Sequence, residues 1–145
     1  MRIRVCVVGK PKLGYAKAGV EEYSSRLNKT SRFELVQVRE GKQNEESLRL
    51  LEASQSYLRV VLDERGELAD TLSLHKKLLH WELHGEKGVA FLIGGANGHT
   101  EELRRRADWL LSLSRFTLQH ELALVVLLEQ LYRIETLKRG EPYHR

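Results

Sequence analysis

Apolar residues along this chain follow two rhythms that take turns. Residues 3–8 are a near-continuous apolar run closed by Gly9, the pattern of a strand buried on both faces of a parallel sheet. Residues 11–27 then set Val20, Tyr23 and Leu27 on one side of a helix. Residues 33–38 alternate as a second strand, residues 41–46 are polar and predict a loop, and a second helix follows through Leu51. A third strand is expected over 57–63, ending at Asp63 before a turn at Glu64, Arg65 and Gly66. A helix over 71–83 carries Leu72, Leu78 and Leu79, and a fourth strand over 89–93 is as apolar as the first. Residues 94–98 read as a glycine loop, after which Thr100 is placed to cap a helix whose first turn holds Glu101 and Glu102.

The last third changes character. Residues 112–118 interleave hydroxyl and apolar side chains, which predicts a short strand or a loop lining a ligand. From His120 no Gly or Pro occurs until Gly140, so one long helix is expected. Between Leu122 and Leu128 that helix is apolar on every side. Such a helix must be covered all round, with one face expected on the core and another on a second copy of the chain. The apolar run falls short of the roughly 20 residues that span a bilayer.

Five alternations of strand and helix predict one α/β domain over 1–145, with a mainly parallel sheet and helices on both faces. Such sheets bind ligands beyond the carboxyl ends of their strands. Three loops qualify: those after Leu62 and Asp63, after Ile93 and Gly94, and over 112–118.

Composition adds little until charge is mapped along the chain. The net charge is +4, yet residues 1–43 hold ten Lys and Arg against four acids, and the remainder is slightly acidic. A basic N-terminal part suits a polyanionic partner such as RNA, with a merely solvated surface as the plain alternative. The amino terminus lacks the pattern of a signal peptide, and the one cysteine, Cys6, falls inside the first strand as a core thiol. A cytoplasmic location is expected.

Among motifs, residues 94–98 place three glycines in five positions, where backbone N–H groups can approach a ligand closely. They match neither a P-loop nor a dinucleotide fingerprint, and an ordinary strand-to-helix turn explains them too. Leu113, Phe116 and Leu118, between Ser114 and Thr117, are able to line a slot for a flat ring, or to form a fifth core strand. Glu129 and Arg133 stand one helical turn apart, the spacing of an ion pair. Arg104, Arg105 and Arg106 read as a solvated helix face, with RNA contact as the second option. His75, His80, His84 and His99 lie scattered without ligand spacing, so no metal is expected. The tail over 140–145 ends in Tyr143, His144 and Arg145: a stacking ring, a group that titrates near neutral pH and a guanidinium, together able to hold a nucleobase.

Several strings now combine: IGGANG (93–98), LSLSRFTLQH (111–120), LLEQLYR (127–133) and RGEPYHR (139–145), with VVGK (7–10), EEYSSRL (21–27) and VVLDERG (60–66) at fitting intervals. Together they closely resemble the bacterial large-subunit rRNA methyltransferase H family of the SPOUT superfamily, over the whole chain. The resemblance implies a homodimeric α/β domain with a C-terminal trefoil knot. It implies transfer of methyl from S-adenosylmethionine to N3 of pseudouridine 1915 in helix 69 of 23S rRNA, most naturally on the assembled ribosome. Carried over by position, the cofactor contacts fall on Leu62, Gly94, Leu113, Ser114, Arg115, Phe116, Thr117 and Leu118. The functional arginine falls on Arg133, and the tail residues, expected to complete the site of the other protomer, on Tyr143 and His144. His144 is the candidate base, with Arg133 as an electrostatic alternative. Two positions depart from the family: Gln119 stands where proline is usual, and Leu124 where an arginine is usual, on the helix expected at the dimer interface. The segment 41–46 is also shorter than usual. Away from the resemblance, a nucleotide- or phosphate-using doubly wound domain and a ribosome-binding module without catalysis are the alternatives.

Overall fold

The computed structural model describes residues 1–144. Its elements run β1 (Arg2–Val8), α1 (Gly14–Thr30), β2 (Phe33–Val38), α2 (Gln43–Ala53), β3 (Leu58–Leu68), α3 (Thr71–Leu83), β4 (Gly88–Ile93), α4 (Glu101–Arg105), β5 (Trp109–Ser112) and α5 (His120–Lys138). The five strands form one sheet in the order β2-β1-β4-β3-β5, every neighbouring pair parallel. Side chains alternate across it with the two-residue period of a strand. Val5, Val7, Val60, Leu62, Phe91 and Ile93 point into one core, under Leu27 of α1, Leu78 of α3 and Leu127 of α5. Cys6, Val8, Val61, Ala90 and Leu92 point into the other, under Leu50 of α2 and Leu103 of α4. β4 is buried at every position, as its unbroken apolar run requires. Burial pushes the Cys6 thiol up to about 12, so it is an inert core residue.

Four boundaries differ from the sequence expectation, each for a local reason. α1 starts at Gly14 rather than at 11 because the backbone N–H groups of Lys12 and Leu13 donate to Glu121 of α5, at 2.8 and 2.9 Å, which holds that segment extended. α2 takes in four of the six residues of the expected loop; its first turn holds Glu45 and Glu46, and Glu45 accepts the Lys42 N–H at 2.9 Å. β3 does not stop at Asp63. The chain bulges out after Leu62 and rejoins β5 at Glu67 and Leu68. Gly66 allows the return, since a Cβ there would lie 2.5 Å from the Leu110 carbonyl oxygen. β5 itself lies at Trp109–Ser112, so residues 113–118 are a loop and not a fifth core strand.

α5 buries Leu124, Leu127, Leu128, Leu131 and Ile134, while Leu122, Val125 and Val126 stay half-buried. Leu124 therefore faces inward at 3% exposure within its own chain. The other departure, Gln119, caps α5: its side-chain oxygen accepts the N–H groups of Glu121 and Leu122 at 2.8 and 3.1 Å.

Candidate functional site

β3 and β4 are neighbours, but the helices that follow them diverge. Leu74 and Leu78 of α3 pack on one face of the sheet, and Leu103 of α4 on the other. Connections that part to opposite faces open a crevice at the carboxyl ends of the two strands. A cleft of about 360 Å3 lies there, walled by the bulge after Leu62, the glycine loop after Ile93 and the loop before α5. Seven of the eight expected cofactor residues line it: Leu62, Gly94, Leu113, Ser114, Phe116, Thr117 and Leu118. Arg115 does not; its side chain is exposed to solvent.

The loop over 113–118 is fixed by its own hydroxyls. Ser112 donates to the Ser114 carbonyl at 2.9 Å, the Phe116 N–H donates to the Ser114 hydroxyl at 2.9 Å, and Thr117 donates to Glu64 at 2.7 Å. These bonds turn the Leu113 and Leu118 side chains to the cleft wall and leave the Phe116 ring 82% exposed at its mouth. On the opposite wall, a Cβ on Gly94 would meet the Gly98 backbone at 3.2 Å and the His99 ring at 3.2 Å. Only glycine leaves that loop folded so tightly.

His99 is a structural member of the site that the sequence reading passed over. It is 4% exposed, and its Nε2 lies 3.1 Å from the carbonyl oxygen of Leu62, tying β3 to the glycine loop. That bond makes Nε2 the protonated nitrogen and Nδ1 the bare one, and Nδ1 has no partner among the described residues. Burial holds the imidazole pKa below its ordinary value, with Asp63 opposing the shift. Arg104 binds the loop from outside, donating to the His99 carbonyl at 2.7 Å and reaching Asp63 at 3.5 Å. Of the expected arginine face, it is thus an anchor. The one available sequence signal was a histidine between the last loop glycine and the helix cap.

Arg133, Tyr143 and His144 also come together, but elsewhere. Arg133 pairs with Glu129 at 2.8 Å, lies 4.7 Å over the Tyr143 ring and places Nη1 3.3 Å from His144 Nδ1. The Tyr143 hydroxyl donates to Glu129 at 2.9 Å, and its ring meets Tyr132 edge-on at 5.0 Å. Burial, then hydrogen bonding with Tyr23 and Glu129, raises the Tyr143 pKa, so the phenol stays neutral. Facing a guanidinium, His144 Nδ1 acts as acceptor, which leaves the ring proton on Nε2. None of these three residues lines the cleft. His120 at the start of α5 does, and Arg133 lies thirteen residues farther on, roughly 20 Å along a helix. One chain therefore holds a cleft and a reactive cluster that do not meet. Arg145 lies outside the described residues.

Among the described residues, no three His, Cys, Asp or Glu side chains gather to hold a metal ion, and no helix is long and apolar enough to cross a membrane.

Comparison with known proteins identifies the family and the fold. A family model described as "Predicted SPOUT methyltransferase" matches residues 1–144. The protein named ribosomal RNA large subunit methyltransferase H of Thermus thermophilus is 54% identical over 145 residues, all of this chain and 99% of the relative. Among solved structures, a probable methylase family protein from Haemophilus influenzae Rd KW20 superposes with a TM-score of 0.64 at 12% identity, over 99% of this chain and 70% of that one. A methyltransferase from Legionella pneumophila, solved with the cofactor SAM bound, superposes with a TM-score of 0.51 at 14% identity, over 95% of this chain and 66% of that one. At such identities the two structures speak to the fold alone.

Proposed function

The chain belongs to the SPOUT methyltransferase family, in its large-subunit rRNA methyltransferase H branch, and on that premise we propose that it methylates N3 of pseudouridine 1915 in helix 69 of 23S rRNA. The donor is S-adenosylmethionine, the substrate the assembled ribosome, the working unit a cytoplasmic homodimer with a C-terminal trefoil knot. The observation that carries this reading is the cleft itself. It sits at the parting of β3 and β4, combines an apolar wall at Leu62, Leu113 and Leu118 with backbone made accessible at Gly94, and is large enough for a nucleoside-sized ligand. Those features fit an adenosine-bearing cofactor: a flat apolar ring against the leucines, its polar edge against main chain.

Bound there, S-adenosylmethionine supplies an electrophilic methyl on a sulfonium, which departs as a neutral thioether. What the residues of the chain must do is align the acceptor and manage one proton. The leucine-lined wall excludes water from the methyl, and alignment at about 3–3.5 Å accounts for most of the rate. The imide N3–H must lose its proton before the nitrogen lone pair forms the new N–C bond. His144 is the candidate base. In the arrangement described, its Nδ1 accepts from Arg133, so that contact must open before Nδ1 can face the imide. Arg133 then stands free to stabilise the developing negative charge on the pyrimidine, and Tyr143 to stack on it. Because the tail cluster and the cleft lie about a 20 Å helix length apart in one chain, a complete site needs the tail of a second protomer. The half-buried apolar face of α5, with Leu122 and Val126, supports that pairing.

The test is transfer of labelled methyl from S-adenosylmethionine to ribosomes lacking this modification, with nucleoside analysis of helix 69. Label as N3-methylpseudouridine is the expected result. Cofactor binding without label there would move the substrate elsewhere.

A further inference from the structure

α2 is fastened to the glycine loop along its first turns. Gln43 donates to the carbonyls of Asn97 and His99 at 2.8 and 3.3 Å, and the Ser47 hydroxyl accepts the Thr100 N–H at 3.1 Å. Glu46, next to Ser47, is 4% exposed and reaches the same loop: a Cβ on Gly95 would lie 3.4 Å from its Oε1. Its Oε2 accepts the Gly41 N–H at 3.1 Å, but Oε1 has no hydrogen-bond partner among the described residues. A buried carboxylate oxygen without a donor is destabilising until a donor reaches it. Glu46 and Gly95 both wall a hollow of about 240 Å3 beyond the carboxyl end of β1, which shares Gly95, Ala96 and His120 with the cofactor cleft. Three carboxylates, of Glu40, Glu46 and Glu121, line it against two lysines, Lys10 and Lys12. Accepting backbone N–H groups does not neutralise Glu46 or Glu121, and Glu40 already pairs with Lys12 at 3.2 Å. The hollow is therefore net negative, and Glu46 Oε1 stands in its wall without a donor. Such a space selects a cationic N–H donor. The adjoining cleft fits an adenosine-bearing cofactor, and S-adenosylmethionine carries a donor of this kind a few bonds from its sulfur: the α-ammonium of the methionine end.

Resting on the function proposed above, we propose that Glu46 binds the α-ammonium of S-adenosylmethionine through Oε1, the methionine end crossing the rim at Gly95 and Ala96 while the adenosine stays in the cleft. The lack of a side chain at Gly95 is what leaves the way to Oε1 open. Glu46 is here a cofactor-binding residue, and it makes the site prefer a cofactor that keeps its amino group over one that has lost it.

The experiment is calorimetric titration of wild type, Glu46→Gln and Gly95→Ala with S-adenosylhomocysteine and with its des-amino analogue, in which hydrogen replaces the ammonium. Wild type should bind the analogue about tenfold more weakly, as expected for one lost charge-assisted hydrogen bond. Glu46→Gln keeps an oxygen for the Gly41 N–H and should lose that preference, binding the two ligands within about twofold of each other and the analogue as wild type does. Gly95→Ala sets a methyl 3.4 Å from Oε1 and should shrink the preference in the same direction. Equal affinity of wild type for the two ligands would overturn the assignment. So would the full preference kept by whichever variant folds, even with both affinities lowered, since Glu46 would then only brace the loop. Failure of wild type to bind S-adenosylhomocysteine at all would instead overturn the cofactor reading on which the assignment rests.

Discussion

The two ends of α5 are built on opposite plans. At its amino end the polar groups are used to shape an empty space: Gln119 caps the helix, Glu121 holds the segment before α1, and the preceding loop bonds to itself and to Glu64. The cleft that results has Leu62, Leu113 and Leu118 on its wall beside Gly94 and the hydroxyls of Ser114 and Thr117. At the carboxyl end the polar groups bond to one another: Glu129 accepts from Arg133 and Tyr143, and Arg133 also meets His144. The first end is an open cleft whose loop is held by hydrogen bonds of its own. The second is a cluster of charged and aromatic groups that already hold one another. The difference teaches that proximity within one chain groups either the cleft residues or the tail cluster, never both.

The plainest way to break the comparison is at the cleft. Gly94→Val places side-chain carbon where Gly98 backbone stands, at 3.2 Å from even a Cβ. Affinity for S-adenosylmethionine, measured by calorimetry, should fall about a hundredfold or more, near 2.7 kcal/mol, while the tail cluster stays intact. His144→Ala should do the reverse. kcat should fall about 10²-fold or more as expected for a lost general base, with cofactor affinity nearly unchanged; a large loss of cofactor binding would contradict the separation of the two ends. Gln119→Ala removes the acceptor of two α5 N–H groups and should lower stability by about 1 kcal/mol, read as a small drop in Tm, without altering the tail.

His99 sharpens the cleft end through pH. Its folded pKa is depressed by burial, so below about 6.5, the unperturbed value, the unfolded chain binds more protons than the folded one. Stability should therefore decline as pH falls from about 6.5 toward the lower folded pKa. His99→Gln, able to keep the bond to the Leu62 carbonyl, should flatten Tm against pH below about 6.5. An unchanged slope would remove His99 as a titrating element of the site.

Much of this was legible in the sequence, and the rest was not for physical reasons. Strand and helix periodicity located the sheet, and the strand-end rule selected the same three loops that wall the cleft. What local pattern could not give was anything set by distant packing. β3 runs on past Asp63 because Gly66 can slip under Leu110, a contact made by β5 and invisible at the turn. α1 starts late because Glu121, more than a hundred residues away, takes its preceding N–H groups. Leu124 reads as an interface residue in a helix apolar all round, but its direction is fixed only by which side meets the sheet. His99 looked like one more scattered histidine until burial and the Leu62 carbonyl gave it a task. Nor does spacing along the chain reveal that Arg133 and the cleft are held apart by the helix that joins them.

The central claim is that a complete site takes its cleft from one protomer and its tail from another. The most direct measurement mixes Gly94→Val and His144→Ala protomers by co-refolding and assays labelled methyl transfer to unmodified ribosomes. Each variant alone should be nearly inactive. If the tail acts across the dimer, the mixture should recover about a quarter of wild-type activity, because half of randomly paired dimers are mixed and each mixed dimer holds one complete site. A mixture no more active than its parents would contradict the claim and place the tail within its own chain.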